Sequence, residues 1–288
     1  FIKGADIDIP ETKDLRGKSY PGDYLWAGQN SWYDFFAKNI VDSSVSDSIV
    51  YNCKVNGVEY HDKSVQASCL SGENQERLTF GADYAIVTAP LAVLQDGDIA
   101  FDPPLPEELV DEHEGSMWSG IKVILEFSKN FYDAYFEIEQ PEDGECEFWD
   151  YSLVHPSSQQ NIVAGYFIGS SGLKYVNKTD TEIVNDVLKK LDDWYETDEA
   201  TKYYKKHIVM NWSKEPHVRG SYSSNSLNGA QNVNDRLFLA GEAFAYPYHH
   251  NGWVDGAALS GKHAALQIAN LEYGNVSTNP MTVLYSTE

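Results

Sequence analysis

Leu237-Phe238-Leu239-Ala240-Gly241-Glu242 is an apolar run that stops at a glycine, and Gly252-Trp253-Val254-Asp255-Gly256-Ala257-Ala258-Leu259-Ser260-Gly261 then opens a helical pattern running to Leu271. The run predicts a strand buried on both faces, because only such a strand dispenses with polar alternation. Ala257, Ala258, Gly261, Ala264 and Ala265 give the helix small residues for close packing. A strand end that feeds a helix N-terminus is where α/β folds bind ligands, since free backbone N–H groups and the helix dipole converge there. Asp83-Tyr84-Ala85-Ile86-Val87-Thr88-Ala89-Pro90 has the same style and predicts a second doubly buried strand, stopped by proline.

The rest of the chain reads differently. Trp32, Phe35, Phe36 and Ile40 stand at helical spacing and predict a short amphipathic helix over 32–40. Residues 49–55 and 65–70 alternate as strands do, and Asn56-Gly57 and Ser71-Gly72 read as turns of an antiparallel meander. Asp102-Pro103-Pro104-Leu105-Pro106 marks a rigid crossover. Beyond it, 121–127, 162–168 and 207–212 predict three strands of a second sheet. Thr179-Asp180-Thr181-Glu182 supplies a capping box for a helix whose stripe is Ile183, Val184, Val187, Leu188, Leu191 and Trp194. The class is therefore α/β plus α+β, in two interleaved domains: 1–104 with 232–288, and an inserted mixed-sheet domain over 105–231.

Composition narrows the function. Lys plus Arg number 21 against 44 Asp plus Glu, a net charge of −23, which repels phosphate and predicts no nucleic-acid partner. The same charge repels anionic lipid, and no run reaches the ~18 apolar residues of a bilayer span, so no membrane partner is expected. With 42% hydrophobic and 13% aromatic residues, the 288-residue chain can build a core and aromatic-lined pockets. Cys53, Cys69 and Cys146 lack the paired spacing of a zinc or redox site and are expected as ordinary thiols, one disulfide staying open. Sequons at Asn177, Asn211 and Asn275 permit secretion, so a secreted or extracellular location is the expectation. The opening residues hold neither Met nor a signal-like stretch and are expected to be processed or to begin mid-protein. His217, His249 and His250 lack ligand spacing, and Ser221 and Ser260 lack a nucleophile elbow; no metal is expected and a hydrolase is disfavoured.

Four stretches, in order, carry a family resemblance: 82–91, 99–106, 121–127, and 237–243 with 252–261. Together they are similar to the flavin-containing amine oxidases, the group of monoamine, polyamine and L-amino acid oxidases. The resemblance implies an FAD-binding domain of the amine oxidase type over 1–104 and 232–288, with 105–231 as the substrate-binding domain. It implies that Lys122 holds a water against flavin N5, a task suited to a charged tip on a flexible stem. Tyr222 and Trp253 match two aromatics that stand before the flavin face around the substrate amine. Tyr166 matches a tyrosine that touches the substrate carboxylate in L-amino acid oxidases. For the cofactor, Trp212 matches a tryptophan beside the isoalloxazine, and Glu242 an acid near the ribityl or ribose, with Gly241 letting the backbone approach. Val55 matches a main-chain contact to adenine, and Trp253 and Val254 complete the cofactor-binding set. Ser221 stands where monoamine oxidases carry a flavin-linking cysteine, which implies non-covalent FAD.

The family's Gly-x-Gly-x-x-Gly fingerprint is absent from the 288 residues. A chain of this charge is ill suited to holding two phosphates unaided, so full FAD binding is expected to need an N-terminal segment or a companion chain. The implied reaction is oxidative deamination of an amine, an L-amino acid foremost, with O2 as acceptor, imine hydrolysis and hydrogen peroxide release. Polyamine or monoamine oxidation is the alternative, and a cofactor-free binding or structural subunit is the non-enzymatic one. Homo-oligomerisation stays open.

Overall fold

The computed structural model describes residues 46–111, 116–139, 144–154, 159–225, 227, 229–245 and 251–274. In chain order they form strands β1 (Cys53–His61), β2 (Ser64–Ser71), β3 (Glu76–Ala82) and β4 (Ala85–Val87), helix α1 (Leu91–Gln95) and strand β5 (Ala100–Asp102). Strands β6 (Gly120–Phe127), β7 (Tyr135–Glu139), β8 (Gly144–Asp150) and β9 (Asn161–Gly169) follow. Then come helices α2 (Ser170–Leu173), α3 (Asp180–Tyr195) and α4 (Glu199–Tyr203), and strand β10 (Tyr204–Asn211). Strands β11 (Gln231–Asn232) and β12 (Leu237–Leu239) and helix α5 (Val254–Tyr273) complete the described part. Two compact units result, each built from two stretches: Phe1–Val50 with Gly120–Asn211, and Tyr51–Ser119 with Trp212–Glu288. The helix expected over 32–40 lies outside the described residues.

In the unit of Tyr51–Ser119 and Trp212–Glu288, β1, β2 and β3 make the expected antiparallel meander, and β5 adds to β1 in parallel. Asn56-Gly57 is not a turn, as its composition suggested, but a bulge inside β1, where the register slips between Val55 and Gly57. Ser68 Oγ donates to Asn56 Oδ1 there, and a Cβ on Gly57 would sit 2.9 Å from Ser68 Oγ. The hairpin turns at Asp62-Lys63 instead. Cys53 and Cys69 are bonded rather than free, while Cys146 is a buried thiol. Cys53 faces Ser71 and Cys69 faces Val55, a diagonal pairing that brings their Cα atoms to 5.4 Å. That proximity comes from register, which cysteine spacing does not encode.

Strand β12 is buried throughout, as its apolar run requires. Leu237 and Leu239 pack with Val58, Val65, Leu91 and Phe244 on one side, and Phe238 meets Ala264 of α5 on the other. It runs parallel to β4 and antiparallel to β11. The matching expectation for β4 is not met: it is three residues long, and Ile86 is 38% exposed because β12 is the strand's one neighbour in the sheet among the described residues. Of the five small residues in the helix, Ala264 is buried but Ala258 and Ala265 are exposed; Gly256, Leu259 and Ser260 make up the rest of the buried face.

The unit containing Gly120–Asn211 holds a five-stranded antiparallel sheet in the order β10-β6-β9-β8-β7. One face packs Val123, Leu125, Phe148 and Phe167 against Ile183, Val187 and Leu191 of α3. Gly165 serves this packing, since a Cβ there would lie 2.7 Å from the Phe148 ring. The expected strands and helix are present, but β7 and β8 are additional. In β8, Cys146 and Phe148 alternate with Glu145, Glu147 and Trp149, a two-residue period that its acidic residues obscure. The capping box forms as its sequence predicts: Thr179 Oγ1 accepts from the Glu182 N–H at 3.3 Å, and Glu182 Oε2 accepts from the Thr179 N–H at 2.8 Å. Thr179→Ala is expected to lower stability by about 1 kcal/mol. An unchanged urea midpoint would show that the cap contributes nothing.

Candidate functional site

Lys122 sits in β6 on the face of the sheet opposite α3. Strand pairing is direct along a cross-strand row: Lys122 faces Tyr166 in β9, Tyr166 faces Glu147 in β8, and Glu147 faces Glu137 in β7. Directly opposed residues share a face, so all four side chains rise on the same side of the sheet. Trp149, two residues along β8 from Glu147, joins them. The Lys122 ammonium lies 5.0 Å from the Tyr166 ring centroid and 5.4 Å from that of Trp149. The two rings meet edge to face at 6.3 Å. Lys122 is half-buried, and burial alone pulls its pKa down. Glu147 is pushed up to about 6 by burial first, then by the charges of Glu145 and Glu137, against a hydrogen bond from Tyr135.

The other candidates gather where β12 ends. Gly241 takes φ +133°, and a Cβ there would meet open space. Its N–H donates to Ser260 Oγ at 2.9 Å, and that oxygen lies 2.7 Å from the Gly241 carbonyl, so α5 grips the strand end through Ser260. Glu242 follows. Its Oε1 accepts from the Ser223 N–H at 3.1 Å; its Oε2 accepts from Ser223 Oγ at 2.8 Å, the Gly252 N–H at 2.9 Å and Asn251 Nδ2 at 3.3 Å. One carboxylate thus ties the segment carrying Tyr222 to the segment carrying Trp253. Gly252, at φ +77°, brings its backbone so close that a Cβ would lie 3.2 Å from the Tyr222 ring. Tyr222 also packs on Trp118 at 5.6 Å, and the Trp118 N–H donates to the Tyr222 carbonyl at 2.9 Å.

Of the residues expected to be catalytic, the fold brings Lys122 and Tyr166 together in one sheet; Tyr222, also expected to be catalytic, lies instead beside the loops that Glu242 and Gly241 organise at the end of β12. Trp253 and Val254 begin α5 and are 65% and 66% exposed. Val55 lies beside the β1 bulge, and Trp212 opens a 3-10 turn after β10. His249 and His250 lie outside the described residues. Sequence reasoning missed Trp149, Trp118, Ser223 and Asn251; for Trp149 the signal was the alternation in β8, and for the others only the fold supplies one. For the flavin that the resemblance implies, the open space at Gly241 and the uncovered Trp253 and Val254 suit close approach by a flat ring and its chain. Among the described residues no group of three His, Cys, Asp or Glu is arranged to hold a metal, and no helix is long and apolar enough to cross a membrane.

Comparison with known proteins places these clusters in context. The family profile described as flavin containing amine oxidoreductase matches residues 15–269. The chain is 29% identical over 238 residues to mouse lysine-specific histone demethylase 1B, covering 75% of this chain and 27% of that protein. It is 27% identical over 202 residues to polyamine oxidase 5 of Oryza sativa subsp. japonica, covering 66% and 39%. Among solved structures, cyclohexylamine oxidase from Brevibacterium oxydans IH-35A superposes with a TM-score of 0.61 at 18% identity, over 79% of this chain and 50% of that one. Wild-type putrescine oxidase bound to putrescine does so with a TM-score of 0.61 at 18% identity, over 78% and 50%. The chain spans under two-fifths of the length of these curated relatives and half that of these structures.

Proposed function

The chain belongs to the flavin-containing amine oxidoreductases, and from that premise we propose that it oxidises a carbon–nitrogen bond in a cationic amine, a polyamine or an N-alkylated lysine rather than an L-amino acid. The fold is that of FAD-dependent amine oxidases and the cofactor is FAD. The observation that carries the reading is Lys122, which is held half-buried against two ring faces instead of extending into solvent.

FAD, when bound, would supply the redox chemistry: it would accept a hydride from the carbon beside the amine nitrogen, which also gives up a proton to leave an imine that water hydrolyses, and those two electrons with two protons would reduce O2 to hydrogen peroxide. The chain's own residues orient and dry the reactants. Lys122 holds a water through its ammonium N–H groups. Tyr222 and Trp253 present ring faces that attract an ammonium and exclude water from the neutral amine. Gly241, Glu242, Trp253 and Val254 hold the cofactor, Glu242 chiefly by fixing the loops on either side, with Trp212 and Val55 as further contacts.

Support for the substrate class is electrostatic. Glu137, Glu145 and Glu147 share a sheet face with Lys122 and Tyr166, and carboxylates there attract a cation and repel the carboxylate an amino acid would bring to Tyr166. Relatives named polyamine oxidase and lysine-specific histone demethylase point the same way. The Cys53–Cys69 bond and the exposed sequon at Asn177 support an oxidising, secretory location. Asn211 supports it less, since its amide donates to the Val176 carbonyl at 2.9 Å.

The test is a peroxide-release screen on the flavin-loaded protein as isolated from its source, with putrescine, spermidine, a dimethyl-lysine peptide and the L-amino acids. At least one of the first three is expected to react about tenfold faster, or more, than any L-amino acid. Equal or faster turnover of an L-amino acid overturns the substrate class, and a native preparation without flavin absorbance overturns the enzyme.

A further inference from the structure

Lys122 and Glu147 stand two strands apart in one row, with backbones ~10 Å from each other at ordinary strand spacing. A lysine and a glutamate so placed reach each other easily, and in a partly dry setting each charge is costly alone. Pairing is the default outcome. The structure shows something else: the ammonium rests on Tyr166, the residue between the two, and on Trp149, the next side chain along β8. We infer that Trp149, together with Tyr166, is a positioning residue that holds the Lys122 ammonium apart from Glu147 and so keeps it out of an ion pair.

The inference rests on the role proposed for Lys122. A ring face attracts an ammonium by ~0.5–2 kcal/mol but accepts no proton and leaves most of its N–H groups available for a water. A carboxylate would claim those N–H groups and fix the charge. The directions agree with insulation: burial lowers the Lys122 pKa, and burial followed by the charges of Glu145 and Glu137 raises that of Glu147. The charged and titratable groups facing this pair within the sheet are Tyr166 from β9, Glu145 from β8, Tyr135 and Glu137 from β7, and Glu126 further along β6. Lys205 and Lys206 engage Glu126 at 2.5 and 2.9 Å.

The experiment is an NMR titration of the full protein labelled with 13C at lysine Cε and glutamate Cδ. Lys122→Arg and Glu147→Gln assign the two signals. In Trp149→Leu the Glu147 midpoint is expected to fall by about one unit or more and the Lys122 midpoint to rise, as a new ion pair forms. Trp149→Phe keeps a ring and both wild-type midpoints. Glu147→Gln in the otherwise unaltered protein is expected to leave Lys122 titrating where it did, and this arm decides the matter even if Trp149→Leu does not fold. Movement of Lys122 in Glu147→Gln, or no movement of either group in a folded Trp149→Leu, overturns the inference. These readouts require no turnover, so they are independent of the substrate and of the kinetic role of Lys122.

Discussion

Lys122→Met slows turnover of the flavin-loaded protein about a hundredfold or more, the scale expected when a group that manages a proton or a reacting water is removed. Its folding stability holds or rises. The reason for the second half is that methionine keeps an unbranched apolar stem beside Trp149 and Tyr166 while discarding an ammonium whose charged form burial disfavours. The split between the two readouts is what distinguishes a chemical from a structural role. Stopped-flow absorbance separates flavin reduction by amine from reoxidation by O2, and a urea titration gives the stability. Wild-type rates in both half-reactions remove Lys122 from its proposed role. A joint loss of rate and stability assigns it to packing.

Glu242→Ala is expected to cost about 2–4 kcal/mol, because it strips the acceptor from the Ser223 N–H, the Ser223 hydroxyl and the Gly252 N–H in one step. Each donor left in a partly buried place carries its own desolvation penalty. The larger consequence is positional, since the loops bearing Tyr222 and Trp253 lose their common anchor and retained flavin falls with them. Glu242→Gln lies between: it keeps the size and one acceptor but turns an amide NH2 toward donors. Urea midpoints and the ratio of flavin to protein after gel filtration report the two effects. Full stability with full flavin in Glu242→Ala would sink this account of the carboxylate.

What could be read ahead of the fold follows the range of the interactions concerned. The α3 capping box and stripe are local, and they formed as written. The run 237–239 was recognisable because burial on both faces leaves no polar position, whereas β4, equally apolar, ends as an exposed edge strand; apolarity reports what a segment tolerates, not how many neighbours it finds. Asn56-Gly57 has turn chemistry but sits where cross-strand pairing absorbs it as a bulge. The Cys53–Cys69 bond is set by that same register. At the candidate site, Lys122, Tyr166, Tyr222, Gly241 and Glu242 could be named from motif resemblance. Ser223 and Asn251 could not, because their importance lies in whom they touch, and contacts between residues far apart in sequence leave no periodic trace; for Trp149 the trace was the alternation of β8.

The pairing of Leu237 with Ala85 and of Leu239 with Val87 has a consequence for how the chain is born. A ribosome makes β4, then the whole run of β6 to β10, and only afterwards the strand that β4 awaits. The five-stranded sheet can settle while synthesis continues, whereas β4 must keep its backbone groups from wrong partners until β12 has been made. A message truncated shortly before the codon for Leu237 therefore yields a nascent product with a finished five-stranded sheet and one adhesive edge, a natural client for chaperones.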